Sequence, residues 1–480
     1  MIHFSSLDAT VLILFCVLIA AIGSLTKLKK STFVEYLVAG RSLTMPAMVA
    51  TLVSTWYGGV LGVGESVSYY GVGTWILLGV PYYVFATIYS IFYAGKVRER
   101  DALSIPQRLE SRWNRNVALT GAILIFLLAT PAANVYMMGV LVHLLTGIPT
   151  TLAVLLSGLL GALFLVRAGL VADVRVGIIA FLAVYIGFFV IDAVCLSHQS
   201  LSSAIQALPS SNLKKWDGGQ GILAVLSFFV LGAWTLVDPG FHQRVTSSAN
   251  PNIAKKGVLV ATGFFFLSDI LTITAGIFAI DKLRPLPENH VAIFPIFADQ
   301  VLPNGLKAIF FVGLIGVTVS SLVGYTLVGG ATLGKEIGGR IGNKNSDKAS
   351  TILTRWGLLI TSLLAVGIAL WVHSVLTIWY TWSGVLIGNL LIPVSFSYFH
   401  TDRLNLTSTS IISGMVAGFV TSLSWMIYGM NTNNPELNVT FLGQSFSLGT
   451  LVPAVVASGI VTFGIARSSP VGPKIASDQT

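Results

Sequence analysis

Apolar windows of about 20 residues, each long enough to cross a bilayer as a helix, recur thirteen times along this 480-residue chain. They fall near 7–26, 46–70, 74–95, 116–145, 150–167, 173–195, 219–243, 257–281, 304–334, 352–371, 374–398, 409–429 and 447–466. Within hydrocarbon every backbone polar group must be paired inside the segment, so windows of this length become helices. Charged residues make up 10% of the chain, against about 25% in soluble domains. The expected fold class is an all-α polytopic membrane protein of about 13 transmembrane helices, its main partner the lipid bilayer.

The formal charge of +9 invites a nucleic-acid reading, but the basic residues sit in short loops between apolar runs. An outside N-terminus places 23 of the 28 Lys and Arg residues in inward loops and the C-terminal tail, among them Lys27, Arg41, Arg98, Arg108, Arg244, Lys344, Arg403 and Lys474. Only Lys214, Lys215, Lys282, Arg284 and Lys307 remain outward. That asymmetry follows the positive-inside rule, so a cytoplasmic membrane and a cytoplasmic C-terminus are expected, with no nucleic-acid partner. The first window follows no basic leader and reads as a retained span. Cys16 and Cys195 lie inside apolar windows and imply neither a disulfide nor a metal site.

The second window carries Ser54-Thr55-Trp56-Tyr57-Gly58-Gly59-Val60-Leu61-Gly62-Val63-Gly64. Each glycine weakens a helix by about 1 kcal/mol relative to alanine. The cluster predicts either an interruption at bilayer depth or close packing of neighbouring helices. The seventh window decides between them, because it holds Gly232-Ala233-Trp234 followed by Asp238-Pro239-Gly240, a second helix stop. Spans two to six and seven to eleven then form two groups of five, each opening on a broken helix. An odd number of spans per group gives the groups opposite orientations, and paired interruptions mark a transporter's binding site. The expected divisions are 1–45 (first helix and linker), 46–195 (first repeat), 196–218 (outward loop), 219–398 (second repeat) and 399–480 (two helices and a tail). The segments near 196–218 and 282–303 are expected to form short surface helices or lids.

The ninth window places Ser320 and Ser321 one turn after Gly316 and Val317. Two hydroxyls and a carbonyl here, with carbonyls freed by a neighbouring broken helix, would supply about five oxygens to a hard cation such as Na+. The serines could equally bond back to the carbonyl four residues earlier. Asp173 opens the sixth window, where it can attract an exiting cation or cap the helix. Asp192 and Asp269 are further intramembrane acids, and Asp269 is the deeper. Trp56 and Trp234 stand in the two breaks; each can face a cation or anchor at the interface. Asp238 can complement a positive solute or be salt-bridged. Gly329-Gly330-Ala331-Thr332-Leu333-Gly334-Lys335-Glu336 nearly matches a phosphate loop, but Glu336 replaces the required Ser or Thr and no strand precedes it. No catalytic constellation is present, so an enzyme is not expected.

Several motifs together resemble the sodium/solute symporter family from about Phe33 to Phe399. They are Glu35-Tyr36-Leu37-Val38-Ala39-Gly40-Arg41-Ser42-Leu43, Ser104-Ile105-Pro106-Gln107-Arg108-Leu109, Gln243-Arg244-Val245, and Leu302-Pro303-Asn304-Gly305-Leu306 leading into Ser320-Ser321. The resemblance implies a leucine-transporter-type five-plus-five inverted repeat and Na+ as the coupling ion. It places the sodium site on the carbonyls of Ser54, Tyr57 and Val317 and the hydroxyls of Ser320 and Ser321, with Asp173 on the exit path. It places the solute beside Trp56, Gly58, Gly59, Trp234 and Asp238. Thr55-Trp56-Tyr57-Gly58-Gly59 is similar to the motif of members that cage choline.

The expected function is therefore sodium-coupled import of a small organic solute, an amine or other cation, by alternating access. A membrane-embedded solute sensor and a passive channel are the alternatives.

Overall fold

The computed structural model describes residues 2–30, 32–343, 346–399, 404–434, 437–441 and 443–468. Lys344, Arg403 and Lys474 of the basic loop set lie outside them. Twelve helices among the described residues are long and apolar enough to cross a membrane, from Ser6–Leu25 to Ser408–Asn431. The thirteenth window gives a shorter apolar helix, Leu451–Arg467. It begins later than the apolar run because Gln444–Ser447 pairs with Asn438–Phe441 as a hairpin.

Burial separates centre from rim. The second span, Met45–Gly73, is 89% buried across its apolar window, whereas the first, Ser6–Leu25, is 22% buried and turns Leu7, Ile13, Leu14 and Val17 outward. An apolar helix with so exposed a face belongs at the lipid boundary. The sixth span, Leu170–His198, lies along the ninth, Leu306–Ala331. Small residues let their backbones touch: a Cβ on Gly313 would stand 2.7 Å from Val184 Cα, and one on Gly187 3.0 Å from Phe310 Cα. Packing of this kind holds membrane helices together where no hydrophobic drive exists between them.

Both predicted interruptions are present. The second span stops at Trp56, makes a tight turn over Tyr57–Gly59 and resumes at Val60–Tyr70. Gly62 and Gly64 were expected within the break, but they lie in the resumed helix and admit Trp379 and Phe294. They serve close packing. The seventh span stops at Leu231, turns over Gly232–Leu236 and restarts at Pro239–Ser247. Asp238 is the N-cap of that restart, accepting the Phe241 N–H at 2.5 Å with Pro239 at the first helical position, the arrangement a helix start favours.

The sequence motifs tie one end of the bundle. The Leu43 N–H donates to the Ser247 carbonyl at 2.9 Å, and the Ala249 N–H to the Leu43 carbonyl at 2.9 Å. Gln243 Nε2 donates to the Leu37 carbonyl at 2.8 Å. Ser104 and Gln107 donate to Glu336 at 2.8 and 2.9 Å, and Arg340 pairs with the same carboxylate. Glu336 is thus a structural acceptor rather than part of a phosphate loop.

Acids do the same at the other end by capping helices. Asp8 accepts the N–H groups of Gly305 and Ala308 at 2.8 and 3.1 Å. Glu65 accepts those of Val375 and Leu376 at 3.0 and 3.2 Å, and the Ser374 hydroxyl at 2.8 Å. Of the two segments expected to form surface helices or lids, the one near 196–218 holds Leu201–Ala207, a short, mostly exposed helix. Ile293–Val301 is not a surface helix: Phe294 and Phe297 are fully buried, because its apolar face closes over the core.

Candidate functional site

The first break reaches the ninth span at Gly58. A Cβ there would overlap Ser321 Cβ and stand 2.6 Å from the Val317 carbonyl oxygen. Only glycine allows the turn to press this closely on the helix, which brings together Tyr57, Gly58, Val317 and Ser321. Gly59, beside it, is filled against by the Trp379 indole at 2.6 Å from its Cβ position.

Ser320 and Ser321 are both buried, and they point to different neighbours because adjacent helical residues lie about 100° apart. Ser320 Oγ donates to Asp173 at 2.8 Å and lies 3.3 Å from Ser54 Oγ. Gly177 makes that meeting possible, since its Cβ would stand 2.7 Å from Ser54 Oγ. Ser321 Oγ instead accepts Asn134 Nδ2 at 2.7 Å. On the same helix Thr326 does bond back to the carbonyl four residues earlier, that of Leu322; the two serines take partners on other spans.

Asp173 is an ion-pair partner as well as a first-turn residue. The Arg244 guanidinium bonds its other carboxylate oxygen, with both side chains at 0% exposure. Arg244 also donates to Thr55 Oγ1 at 2.9 Å and reaches Gln243 Oε1. This corrects the expectation of Arg244 as a loop charge. The restarted helix Pro239–Ser247 folds back into the bundle and carries Arg244 against the sixth and ninth spans. The sequence window 219–243 stopped one residue short of Arg244; the span runs through Ser247, which puts an ionisable residue inside it, and such a residue has a buried task.

A cavity of about 120 Å³ adjoins the first break. Trp56, Tyr57, Gly59, Trp234 and Ser321 line it, while Gly58 and Asp238 do not. Trp56 and Trp234, one from each break, meet edge to face at 6.5 Å. Asp238 faces away, its second oxygen accepting the Tyr325 hydroxyl at 2.9 Å; Tyr325 is the residue on the cavity wall. Asn134 lines the cavity too, just beyond the Thr130-Pro131 stop in the fourth span, and its amide connects the wall to Ser321. Sequence reasoning passed over Asn134, Gly177, Tyr83 and Trp379, and gave Asp269 no partner. Asp269 is on the wall as well.

Residues 36–431 match the model of the Sodium:solute symporter family. A sodium/glucose cotransporter of Vibrio parahaemolyticus is 22% identical over 362 residues, which cover 66% of this chain and 66% of that protein, just under two thirds of each. Among solved structures, a Na+-coupled sialic acid symporter in a substrate-bound outward-open state is similar at a TM-score of 0.79 and 14% identity, covering 99% of this chain and 100% of that one. A nucleobase-cation-symport-1 family transporter, closed with bromovinylhydantoin bound, is similar at 0.53 and 13% identity, covering 91% and 96%. These two likenesses establish the fold, of the leucine-transporter type.

Proposed function

The chain belongs to the sodium:solute symporter family, transporters rather than enzymes, and from that premise we propose that it couples Na+ entry to uptake of a small organic solute carrying positive charge. One observation carries the reading: the first break presses on the ninth span where Ser54, Val317, Ser320 and Ser321 are buried together. Sodium would lodge on the carbonyls of Ser54, Tyr57 and Val317 and the two serine hydroxyls, then leave past Asp173. The N-terminus would lie outside and the C-terminus in the cytoplasm, the orientation that the positive-inside rule favours for these basic residues.

The solute would occupy the cavity that Trp56, Gly59 and Trp234 line, with Asp238 acting through Tyr325 and Gly58, expected beside the solute, holding the break against the ninth span instead. Its aromatic walls offer negative ring faces to a cation. The volume is small against the roughly 300–1,000 Å³ of sites for drug-sized ligands. Na+ would favour the outward-open state only through its higher affinity for that state, ordering the break around the solute before closure.

The test is uptake into proteoliposomes, with the solute chosen by a thermal-shift screen run with and without Na+. Wild type should accumulate it saturably and only under an inward Na+ gradient. The Ser320→Ala, Ser321→Ala double variant should lose that dependence; a double variant with unchanged sodium dependence removes the site. Flux that neither saturates nor follows the gradient indicates a channel, and binding without flux a sensor.

A further inference from the structure

Each buried carboxylate in this molecule can be asked what offsets its charge. Asp173 has Arg244 and Glu336 has Arg340, and the half-buried Asp299 has Lys307. Asp8, Glu65 and Asp238 cap helix N-termini, where the positive end of the dipole stabilises an anion. Asp269 has neither. It lies near the middle of the eighth span, Pro251–Lys282, away from any helix end. Among the described residues no basic side chain pairs with it. Its two oxygens accept the hydroxyls of Tyr57 and Tyr83 instead. Phenols supply hydrogen bonds but no charge. An ionised carboxylate taken out of water costs several kcal/mol unless an opposite charge joins it, and an intramembrane acid is by default functional.

Asp269 also stands where a ligand can reach it. It is the one charged residue among those lining the central cavity, and Tyr57, Tyr83 and Phe265 line it alongside. Asp192, a buried acid with an unpartnered oxygen, is not on that wall. A cavity with one carboxylate, no basic group and several aromatic faces is complementary to an organic cation.

We infer that Asp269, held by Tyr57 and Tyr83, is the counter-ion that binds an ammonium group of the transported solute. The inference rests on the cationic-solute reading above and gives it a specificity-determining residue on a different span from the two breaks. It also supplies a physical link to the ion. Tyr57 belongs to the break, and Gly58, next to it, presses on Val317 and Ser321, while the Tyr57 phenol holds Asp269. An ammonium arriving at the carboxylate therefore bears directly on the turn that would hold Na+.

The test is binding to purified full-length protein in nanodiscs with 150 mM NaCl (roughly physiological ionic strength), using cations and neutral partners of matched shape. The probes are choline against 3,3-dimethyl-1-butanol, and ethanolamine against ethylene glycol. Wild type should bind at least one cation about tenfold or more tighter than its neutral partner. Asp269→Asn should lose that preference while still eluting as a single monodisperse species and unfolding in one cooperative transition. A preserved preference in Asp269→Asn overturns the inference and leaves the cationic-solute reading standing. A wild type that prefers neutral or anionic solutes overturns both, and needs no variant to show it. Solute uptake driven by a proton gradient, lost in Asp269→Asn while wild type shows no cation preference, would make the residue a proton carrier and likewise overturn the inference.

Discussion

Arg244 and Asp173 form an ion pair in which neither side chain is exposed, and Asp173 uses its remaining oxygen to accept the hydroxyl of Ser320. A charge from the second broken span thus reaches the hydroxyl pair that faces the first. Arg244 also donates to Thr55 beside the first break, so one guanidinium touches both interrupted segments' surroundings.

Removing one member of a fully buried pair leaves the other charge unmatched, at a cost of about 3–5 kcal/mol. Arg244→Ala or Asp173→Ala should each lower the unfolding free energy of the detergent-solubilised protein by that order. The neutral pair Asp173→Asn with Arg244→Gln should recover most of it, because no lone charge remains. Denaturant unfolding of the four proteins checks this; a double variant less stable than both singles sinks it.

Gly58→Ala should abolish sodium-dependent uptake. Its Cβ would occupy the space of Ser321 and crowd the Val317 carbonyl, and overpacking of this kind costs typically 1–3 kcal/mol. The matched control is Gly263→Ala on the eighth span, where nothing lies within 4 Å of the added carbon. That change should leave uptake intact and add up to about 1 kcal/mol of stability from helix propensity. Equal losses in the two variants would contradict the close contact at Gly58.

Glu65 joins the resumed half of the second span to the start of the eleventh. Glu65→Ala would leave the N–H groups of Val375 and Leu376 without their acceptor, and an unsatisfied buried donor costs about 1–3 kcal/mol. A lower melting temperature is expected. Glu65→Gln keeps an acceptor oxygen and should lose less; the ratio of the two shifts is the measurement.

His290 precedes the buried helix Ile293–Val301 and has Nδ1 2.6 Å from Ser68 Oγ. Burial pushes its imidazole below the ordinary histidine range, so the folded chain takes up this proton less readily than the unfolded one. Its contribution is intact above the unfolded pKa of about 6.5 and is lost as pH falls through the lower folded value. Melting curves from pH 7.5 to 5 should therefore fall less steeply for His290→Gln than for wild type. Parallel slopes would exclude this histidine as the source.

The breaks at Tyr57–Gly59 and Gly232–Leu236 were legible because their causes are local. Glycine and proline alter the backbone where they stand, and Asp238 caps the helix that starts beside it. The extent of the first break was less so: Gly62 and Gly64 looked the same as Gly58 and Gly59 in sequence, and only Trp379 and Phe294 packing against them shows that they serve contact. The hydroxyl pair was visible, but its division between Asp173 and Asn134 was not.

Sequence alone determined where the chain crosses the membrane, where two of those crossings fail as helices, and which hydroxyls lie near a failure. Hydropathy, glycine and proline content and capping act over a few residues, so a linear reading captures them. Tertiary structure decided the partners: Arg244 for Asp173, 71 positions away, and Tyr57 for Asp269, 212 away. The cost of a buried charge depends on what the fold places beside it, and that is fixed only when distant helix faces meet.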